Sequence, residues 1–256
     1  MSVPVSVTII VRDGLPWIKN CLASITCTRD IIVVLDPASS DGTRAYLQTR
    51  GVRVVEQAWL GFGRQQQFAT VQCANDWVFK LDSDEEMSPA LNHFLADFNP
   101  ADADEIYCFT RRNLVDGQWI RGGGWWPDAV RRLFNRTRSA FTDDIVHETI
   151  RGPQERLHQR DEQIIHHAYG CIDDFIDKVR RYSTLGAETL HRERRGCGPL
   201  MALLRGLLAF FKCYVIKLGL RDGRWGLVIA LSTAAVTMLK HLKAGELKKN
   251  QLRRPA

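Results

Sequence analysis

The chain has 256 residues, of which 45% are hydrophobic and 25% charged, which is apolar enough for a sizeable core and excludes an intrinsically disordered protein. Its seven cysteines are scattered without a C-x-x-C pair, which argues against the common zinc modules and indicates reduced cytosolic thiols rather than a disulfide framework. The opening segment, MSVPVSVTIIVRDG, has no basic region before its apolar run, so we expect no secretory signal.

Charge is distributed unevenly along the chain. Residues 176–256 contain 17 Lys and Arg against 5 Asp and Glu, whereas residues 1–175 contain 18 against 24. An acidic body with a basic C-terminal part predicts a polyanionic partner for that part, either nucleic acid or an anionic membrane surface.

The first hundred residues alternate between strand and helix patterns. Continuous apolar runs rich in β-branched residues are typical of buried parallel strands, and the segments between them have helical spacing or helix-capping residues. The predicted strands are 5–11, 30–36, 52–57 and 77–85, and the predicted helices are 15–25, 39–50 and 62–74. This order predicts a doubly wound, mostly parallel α/β sheet with right-handed crossovers.

Acidic residues follow three of these strands. Asp13 and Asp36 come after the first two, and Asp82 and Asp84 end the fourth as a D-x-D motif. Ligands of open α/β sheets bind at the carboxyl ends of the strands, and in a regular strand the D-x-D side chains would share a face. Carboxylates suit Mg²⁺ or Mn²⁺, which often bind through one or two of them plus substrate phosphates. The alternative is an acidic turn that caps a helix beginning near Ser88.

After residue 100 the strand–helix alternation stops. Residues 105–117 and 129–135 have strand character and enclose a loop rich in Gly and Trp. Residues 172–195 are a predicted charged helix, and from Pro199 onward the chain is apolar and basic together.

The C-terminal part has the pattern of basic amphipathic helices. Apolar residues from 200 to 218 recur at helical spacing. Residues 226–243 offer 14 uninterrupted apolar or weakly polar residues before Lys240, fewer than the ~20 needed to span a bilayer. We therefore expect helices that lie in the interface of an anionic membrane; the alternative is a helical hairpin that packs on the rest of the chain or on a second subunit. Nucleic acid is the less favoured partner, because the basic residues alternate with Leu and Phe.

Several stretches resemble motifs of one enzyme family. TIIVRDGLPWIKNCLASI, IIVVLDPASSDGT and WVFKLDSDEEMSP resemble motifs of glycosyltransferase family 2, whose members have the GT-A fold. GFGRQQQFA, GGGWWPDAVRRLF, IVHE and DKVRRYSTLGAE resemble its branch of lipopolysaccharide-core glucosyltransferases, and the similarity covers nearly the whole chain. It implies a GT-A type, Rossmann-like, mostly parallel sheet for nucleotide-sugar binding with a C-terminal amphipathic helical extension. The implied divisions are a GT-A catalytic domain (1–170), a charged helical segment that completes the site (171–198) and basic membrane-associating helices (199–256).

The resemblance also implies a donor site. It maps the family's nucleotide contact onto Asp36 and the metal-associated pair onto Asp82 and Asp84, with Mg²⁺ or Mn²⁺ as the cofactor. Asp13 stands where the family usually has the Glu of an Asn-Glu pair, so an acidic contact is kept only if Asp13 substitutes for it.

A second departure concerns a cation near the donor. Gln66 stands where similar proteins often have Lys, and Arg64 is the candidate replacement. The other residues of the predicted donor site are Gln67, Lys178, Arg181 and Tyr182. For the last three, the alternative is a solvated basic helix face.

An inverting transfer needs a carboxylate that accepts the proton of the acceptor hydroxyl. Asp144, in FTDD, resembles the family's T-E-D motif, and Glu148, in IVHE, resembles a motif of the core-glucosyltransferase branch. We favour Glu148 as the base because the branch-level match is the closer one. Trp125 and Trp126 are candidates for acceptor binding, since sugars stack on aromatic rings, with core packing as the alternative.

The resemblance implies transfer of glucose from UDP-glucose to a heptose of the lipopolysaccharide inner core, by a peripheral protein on the cytoplasmic face of the cell membrane. The implied partners are a UDP-sugar, a lipid-linked saccharide acceptor, an anionic membrane surface and, through the C-terminal helices, a second copy of the chain. Two alternatives are open: transfer to a polyprenyl phosphate, and a non-catalytic relative that only binds nucleotide sugar or membrane.

Overall fold

The computed structural model describes residues 2–15, 17–142, 149–193 and 195–252. Tertiary contacts divide the chain into two compact units. The sheet unit comprises Met1–Arg112 and Asp128–His167, and the helical unit comprises Asn113–Pro127 and Ala168–Ala256.

The first four strands form the parallel half of the sheet, as predicted. They are β1 (Val5–Val11), β2 (Ile31–Leu35), β3 (Arg53–Glu56) and β4 (Trp77–Asp82), in the spatial order β3-β2-β1-β4. Ile9 lies opposite Val33 on one neighbouring strand and Leu81 on the other, and all three side chains are fully buried. Continuous apolar runs suit these positions because both faces of a central parallel strand are buried.

The sheet continues with antiparallel strands beyond β4. They are β5 (Glu85–Met87), β6 (Glu105–Val115), β7 (Gln118–Trp119), β8 (Asp128–Asn135) and β11 (Arg156–Tyr169); a separate pair is formed by β9 (Ala140–Phe141) and β10 (Ile150–Arg151). β8 pairs antiparallel with β4 and with β6, and the order continues through β11 to β5. Among the described residues, the main sheet therefore has nine strands in two halves of different polarity.

In the part of the sheet unit that the structure describes, four helices cover both faces of the parallel half. They are α1 (Trp17–Ser24), α2 (Thr43–Gln48), α3 (Phe62–Val71) and α4 (Pro89–Ala96). On β4, Phe79 and Leu81 belong to the core cluster that includes α1 and α4, whereas Val78 belongs to the cluster that includes α3. This alternation follows from the two-residue period of a strand.

One predicted strand boundary is wrong. The strand predicted over 77–85 stops at Asp82, and a turn separates it from β5. In the segment 39–50, which the sequence predicts to open with capping residues before a helix, the helix begins at Thr43. The Asp41 carboxylate accepts the amide of Leu15 (2.7 Å) and that of Thr43 (3.0 Å) and holds the preceding residues in a loop.

The helix after the D-x-D motif begins where the sequence predicts. Ser88 is its N-cap, with a side-chain oxygen that accepts a hydrogen bond from the Leu91 amide at 3.2 Å, and Pro89 occupies the first helical position. Both choices are favourable at a helix N-terminus.

The helical unit has its own core. Its helices are α5 (Ile172–Arg192), α6 (Pro199–Phe211) and α7 (Gly223–Leu252); the segment between α6 and α7 contains a π-helical turn, Lys212–Ile216, and a 3₁₀ turn, Gly219–Asp222. Phe175, Trp225 and Ile229 pack with Val115 and Ile120 in one buried cluster. The helix predicted over 199–220 is thus shorter, and the one predicted over 226–243 is longer.

The C-terminal helices expose much apolar surface. The exposed side chains of α6 include Leu200, Leu203, Leu207 and Phe211. By length and composition alone, Pro199–Ile216 (mean hydropathy 1.6) and Gly219–Lys248 (1.4) are each long and apolar enough to cross a membrane, a test that core helices of soluble proteins also pass. The uninterrupted apolar run of residues 226–239 lies within α7, a continuous helix of 30 residues that continues through Lys240 and Lys243.

We predict opposite effects of alanine at two glycines of α7. A Cβ on Gly226 would lie 1.8 Å from the carbonyl oxygen of Gly219, so Gly226→Ala should lower the free energy of unfolding by about 1–3 kcal/mol. A Cβ on Gly245 would meet nothing within 4 Å, so Gly245→Ala should raise it by about 0.5–1 kcal/mol. Urea or thermal unfolding of both variants measures this, and equal effects would contradict the close approach at Gly226.

Candidate functional site

The acidic residues found by sequence lie along one edge of the sheet. β1, β2 and β4 are parallel neighbours, so Asp13, Asp36 and Asp82 follow or end strands at the same edge, and Asp84 lies in the turn after β4. The guanidinium of Arg12 lies 3.6 Å from the Asp13 carboxylate and 3.8 Å from that of Asp36. The acidic residues therefore lie together at the carboxyl ends of the parallel strands, as expected.

Asp13 is fixed by the loop that follows β2. Its backbone has φ 47°, its amide donates to the side-chain oxygen of Ser39 (2.9 Å), and its carboxylate accepts the amide of Ser40 (2.7 Å). The hydrogen bond from the Ser40 amide lowers the pKa of Asp13. The carboxylate stays ionised at neutral pH and is 41% exposed at the edge.

Asp82 is neutralised by cations of the chain itself. The Lys80 ammonium lies 2.7 Å from its carboxylate, and the Arg132 guanidinium, on β8, lies 2.9 Å away. Lys80 and Asp82 are two residues apart on β4, so their side chains share a face. Burial would raise the pKa of Asp82, but the charges of Lys80 and Arg132 outweigh it and hold that pKa well below its usual range.

Arg132 also binds Glu85, whose side chain is fully buried. The Glu85 carboxylate also accepts a hydrogen bond from the Asp82 amide at 3.0 Å and lies 3.4 Å from the Arg111 guanidinium. Arg111 in turn forms an ion pair with Asp128 at 2.8 Å. Positive and negative side chains therefore alternate from Lys80 to Asp128. We call Lys80, Asp82, Arg132, Glu85, Arg111 and Asp128 the charge chain.

Sequence reasoning missed the cationic members of the charge chain. The available signals were Lys80, a charged residue within a buried strand on the face of Asp82, and the two consecutive arginines of VRRLF, one of which must point to each face of β8. A buried carboxylate requires such partners.

Asp84 differs from Asp82 in its position relative to β4, in its exposure and in its charged partners. It lies beyond the end of β4, so the idea that both carboxylates share a strand face is wrong. Its side chain is 40% exposed and lies 3.6 Å from the Nε2 atom of His166, and its backbone oxygen accepts the His167 amide at 2.9 Å. Within the described residues, no Lys or Arg pairs with it.

Two of the histidines of β11, His166 and His167, support the turn after β4. His167 Nε2 lies 2.7 Å from the Glu86 carboxylate, and its ring stacks on Trp17 at 4.8 Å between centroids. Glu86 is therefore engaged within the chain, and the exposed carboxylate of the acidic stretch is that of Asp84.

These residues fit a divalent cation that is shared with a bound ligand. Among the described residues, no three His, Cys, Asp or Glu side chains are grouped so as to hold a metal by themselves. One exposed carboxylate, Asp84, is a donor that Mg²⁺ or Mn²⁺ accepts when phosphate oxygens and water complete the coordination. Asp82, which is held by two cations, is better suited to positioning the turn than to binding the metal.

A polar cavity of about 480 Å³ adjoins the charge chain in the sheet unit. Its volume is in the range of small-ligand pockets. Phe141 and Thr149, which line it, flank the segment that contains Asp144 and Glu148; both of those residues lie outside the part of the chain that the structure describes. The cavity is lined by Lys80, Asp82, Arg111, Ala129, Val130, Arg131, Arg132, Phe141, Thr149 and Ile150.

The predicted donor residues of α3 have different environments. Arg64 is exposed, whereas the Oε1 atom of Gln67 accepts the Phe141 amide at 3.1 Å and ties α3 to β9. Gln66, at the position where a Lys was expected, is buried, and its Oε1 atom has no hydrogen-bond partner among the described residues.

The remaining predicted residues belong to the helical unit. Trp125 packs against Tyr169 with ring centroids 5.6 Å apart, in agreement with the core-packing alternative, whereas Trp126 meets Trp119 edge to face. Lys178 places its ammonium 3.8 Å from the centre of the Tyr169 ring. Arg181 and Tyr182 are exposed on α5.

A parallel half-sheet that ends in acidic residues and continues into an antiparallel half defines the GT-A fold of glycosyltransferases. Residues 6–172 match the family model described as "Glycosyl transferase family 2", and the chain belongs to this family. The predicted family and fold are thereby confirmed.

Relatives extend the similarity to the whole chain. The lipopolysaccharide core biosynthesis glycosyltransferase LpsC of Rhizobium meliloti is 29% identical over 95% of this chain and 95% of its own length. An uncharacterized glycosyltransferase of Rickettsia bellii is 24% identical over 95% of this chain and 86% of that protein. Among solved structures, the mannosyltransferase PcManGT from Pyrobaculum calidifontis, in complex with GDP-Man and Mn²⁺, matches 99% of this chain and 89% of its own with 17% identity and a TM-score of 0.49.

We predict that Arg132→Met lowers the free energy of unfolding by about 3–5 kcal/mol, because it leaves Asp82 and Glu85 without their shared cation. Arg156→Met is the matched control, because Arg156 pairs with Asp102 at the surface. This substitution should change the free energy of unfolding by about 1 kcal/mol or less. Denaturant unfolding of both variants is the measurement. Similar losses in the two variants would contradict the special position of Arg132.

Proposed function

We propose that the chain is a metal-dependent inverting glycosyltransferase that transfers a sugar, with glucose from UDP-glucose as the first candidate, to a heptose of the lipopolysaccharide inner core. Family membership supports the reaction class. The likeness to LpsC, a lipopolysaccharide core biosynthesis glycosyltransferase, supports this class of acceptor.

The contrast between Asp82 and Asp84 carries the metal part of the proposal. Lys80 and Arg132 hold Asp82 in place, and Asp84 keeps a 40% exposed carboxylate at the ligand-binding edge. Asp84 would hold Mg²⁺ or Mn²⁺, which when bound neutralises charge on the departing nucleoside diphosphate. Asp82 positions the turn that carries Asp84.

Other residues of the edge are proposed to bind the nucleotide. Asp36 is buried, and its carboxylate accepts a hydrogen bond from the Ala38 amide at 2.9 Å. The Arg12 guanidinium lies near the carboxylates of both Asp36 and Asp13. Both carboxylates are therefore held in place to accept hydrogen bonds from the hydroxyl groups or the base N–H groups of the nucleotide sugar. The proposed donor site also includes Arg64, Gln67, Lys178, Arg181 and Tyr182.

Glu148 is proposed as the base, with Asp144 as the competitor. Its neighbour Thr149 lines the polar cavity beside the charge chain, which supports a role for this segment near the donor. The carboxylate would accept the proton of the attacking acceptor hydroxyl. Trp125 and Trp126 are proposed for the acceptor side, and Trp126 is the better candidate because Trp125 packs in a core.

We further propose that residues 199–256 attach the protein to the cytoplasmic face of the membrane. The exposed leucines of α6 and the basic residues around them support this, because both suit the interface of an anionic bilayer. We also propose a division into a catalytic domain (1–170), a completing segment (171–198) and a membrane-associating part (199–256); the contact units differ from it in that Asn113–Pro127 belongs to the helical unit. A second copy of the chain is the competing occupant of this surface.

We expect UDP to bind in a manner that depends on Mn²⁺ and Asp84. In calorimetric titrations, UDP with Mn²⁺ should bind more tightly than UDP without metal or GDP with it, and Asp84→Ala should weaken this binding by about tenfold or more. Asp76→Ala is the control, because Asp76 is an exposed carboxylate at the other end of β4. UDP binding that ignores both the metal and Asp84 would overturn the proposed metal site.

Glu148→Gln should reduce sugar transfer by about 10²–10⁴-fold while leaving UDP affinity unchanged, because only proton transfer is lost. The assay follows radiolabelled sugar from UDP-glucose into a heptose-terminated lipopolysaccharide acceptor, with Asp144→Asn measured in parallel. A larger loss in Asp144→Asn would assign the base to Asp144. Label that enters polyprenyl phosphate instead would identify the alternative acceptor, and UDP binding without any transfer would indicate a non-catalytic relative.

A further inference from the structure

A second cavity, of about 540 Å³, lies within the helical unit, away from the residues of the acidic edge in sequence. Three of the side chains that line it are cations: Arg121, Lys217 and Arg221. The indole of Trp126 forms another part of the wall, together with Gly122 and Gly124. We call this cavity the basic pocket.

The backbone that forms the basic pocket is held firmly. The Gly123 amide donates to the carbonyl of Lys217 at 2.8 Å. A Cβ on Gly122 would lie 2.3 Å from the carbonyl oxygen of Leu218, and one on Gly124 would lie 2.5 Å from the Lys217 ammonium. The loop therefore needs glycine to approach the turn this closely.

The carboxylate in the wall of the basic pocket is engaged by the backbone. Asp222 accepts the amides of Arg121 and Gly122 at 3.0 and 2.6 Å, and its side chain is buried. Within the part of the chain that the structure describes, no carboxylate forms an ion pair with Arg121, Lys217 or Arg221. Three cations and one carboxylate give the lining of the cavity a net positive charge, which suits an anion, and arginine favours phosphate through paired N–H donors.

The surface around the basic pocket is apolar. Ile216, Leu218 and Leu220 lie in the same segment as Lys217 and Arg221 and are 64%, 41% and 49% exposed. The helix that precedes this segment in the chain, α6, also has exposed leucines. An anion site bordered by exposed apolar side chains matches the two parts of an amphiphile, a charged headgroup and a hydrocarbon body.

We propose that the basic pocket binds the phosphate headgroup of an anionic membrane lipid, and that this contact anchors the helical unit on the bilayer. Arg121, Lys217 and Arg221 contact the phosphate, Trp126 lies at the level of the headgroups, and Ile216, Leu218 and Leu220 enter the apolar region. The inference deepens the proposed membrane attachment and rests on it, and its test leaves Trp126, which is also proposed for the acceptor side, unchanged.

The test compares two double variants that lose the same charge. Lys217→Ala/Arg221→Ala removes two pocket cations, whereas Lys212→Ala/Arg224→Ala removes two exposed cations of the same unit that do not line the pocket. Binding of the full chain to phosphatidylcholine vesicles with and without phosphatidic acid is measured by flotation. Circular dichroism and thermal unfolding establish that both variants are folded.

We expect wild-type protein to prefer vesicles with phosphatidic acid, and the pocket variant to lose about tenfold more affinity for them than the control variant. Equal losses would overturn the pocket and leave non-specific attraction of the tail to the membrane. Glycerol 3-phosphate that competes at concentrations equivalent to those of the lipid would overturn the lipid as the ligand and assign a site for free phosphate esters.

The same experiment separates this inference from the proposed function. Wild-type protein that binds no vesicle would overturn both the membrane attachment and the lipid site. Preferential vesicle binding lost in the pocket variant, in a protein that transfers no sugar, would support the lipid site while the transfer reaction fails. UDP titrations on the pocket variant should match wild type, since neither substituted residue belongs to the proposed donor site.

Discussion

The contact between Arg132 and the two carboxylates Asp82 and Glu85 is the interaction on which the sheet unit depends. Arg132 extends from the antiparallel strand β8, and Asp82 ends the parallel strand β4, so the ion pair joins the two halves of the sheet at their boundary. Both Arg132 and Glu85 are buried, and removal of either would leave a charge in a medium that solvates it poorly. Lys80 and Arg111 complete the compensation.

This charge compensation distinguishes the two carboxylates of the D-x-D motif. Because Asp82 already has two cationic partners, its negative charge serves the structure of the strand end, and the neighbouring polar cavity is lined by more cations than carboxylates. Asp84, two residues further along the chain, has a side chain that is 40% exposed. A motif that looks symmetrical in sequence thus consists of one carboxylate that is held by cations of the chain and one carboxylate that is exposed.

The helical unit packs in a different way from the sheet unit. Small residues allow its segments to approach closely, as at Gly226 against Gly219 and at Gly206, where a Cβ would lie 3.2 Å from the carbonyl of Ala234. Aromatic side chains fill its core, but the outer side of α6 is apolar and exposed. Such a surface is costly in water and favourable at a bilayer. The proposed lipid site gives that surface a defined charged contact.

The sequence by itself determined the local elements: the parallel strands from their β-branched runs, the start of α4 from Ser88 and Pro89, and the acidic edge from residues that follow strands. Only the tertiary structure decided which charges meet, because Arg132 lies 50 residues after Asp82 and strand pairing alone brings them together. It likewise separated Trp125, in a core, from Trp126, at a cavity wall. Local patterns record backbone preference and burial, whereas the partner of a buried charge depends on the register of strands that are distant in sequence.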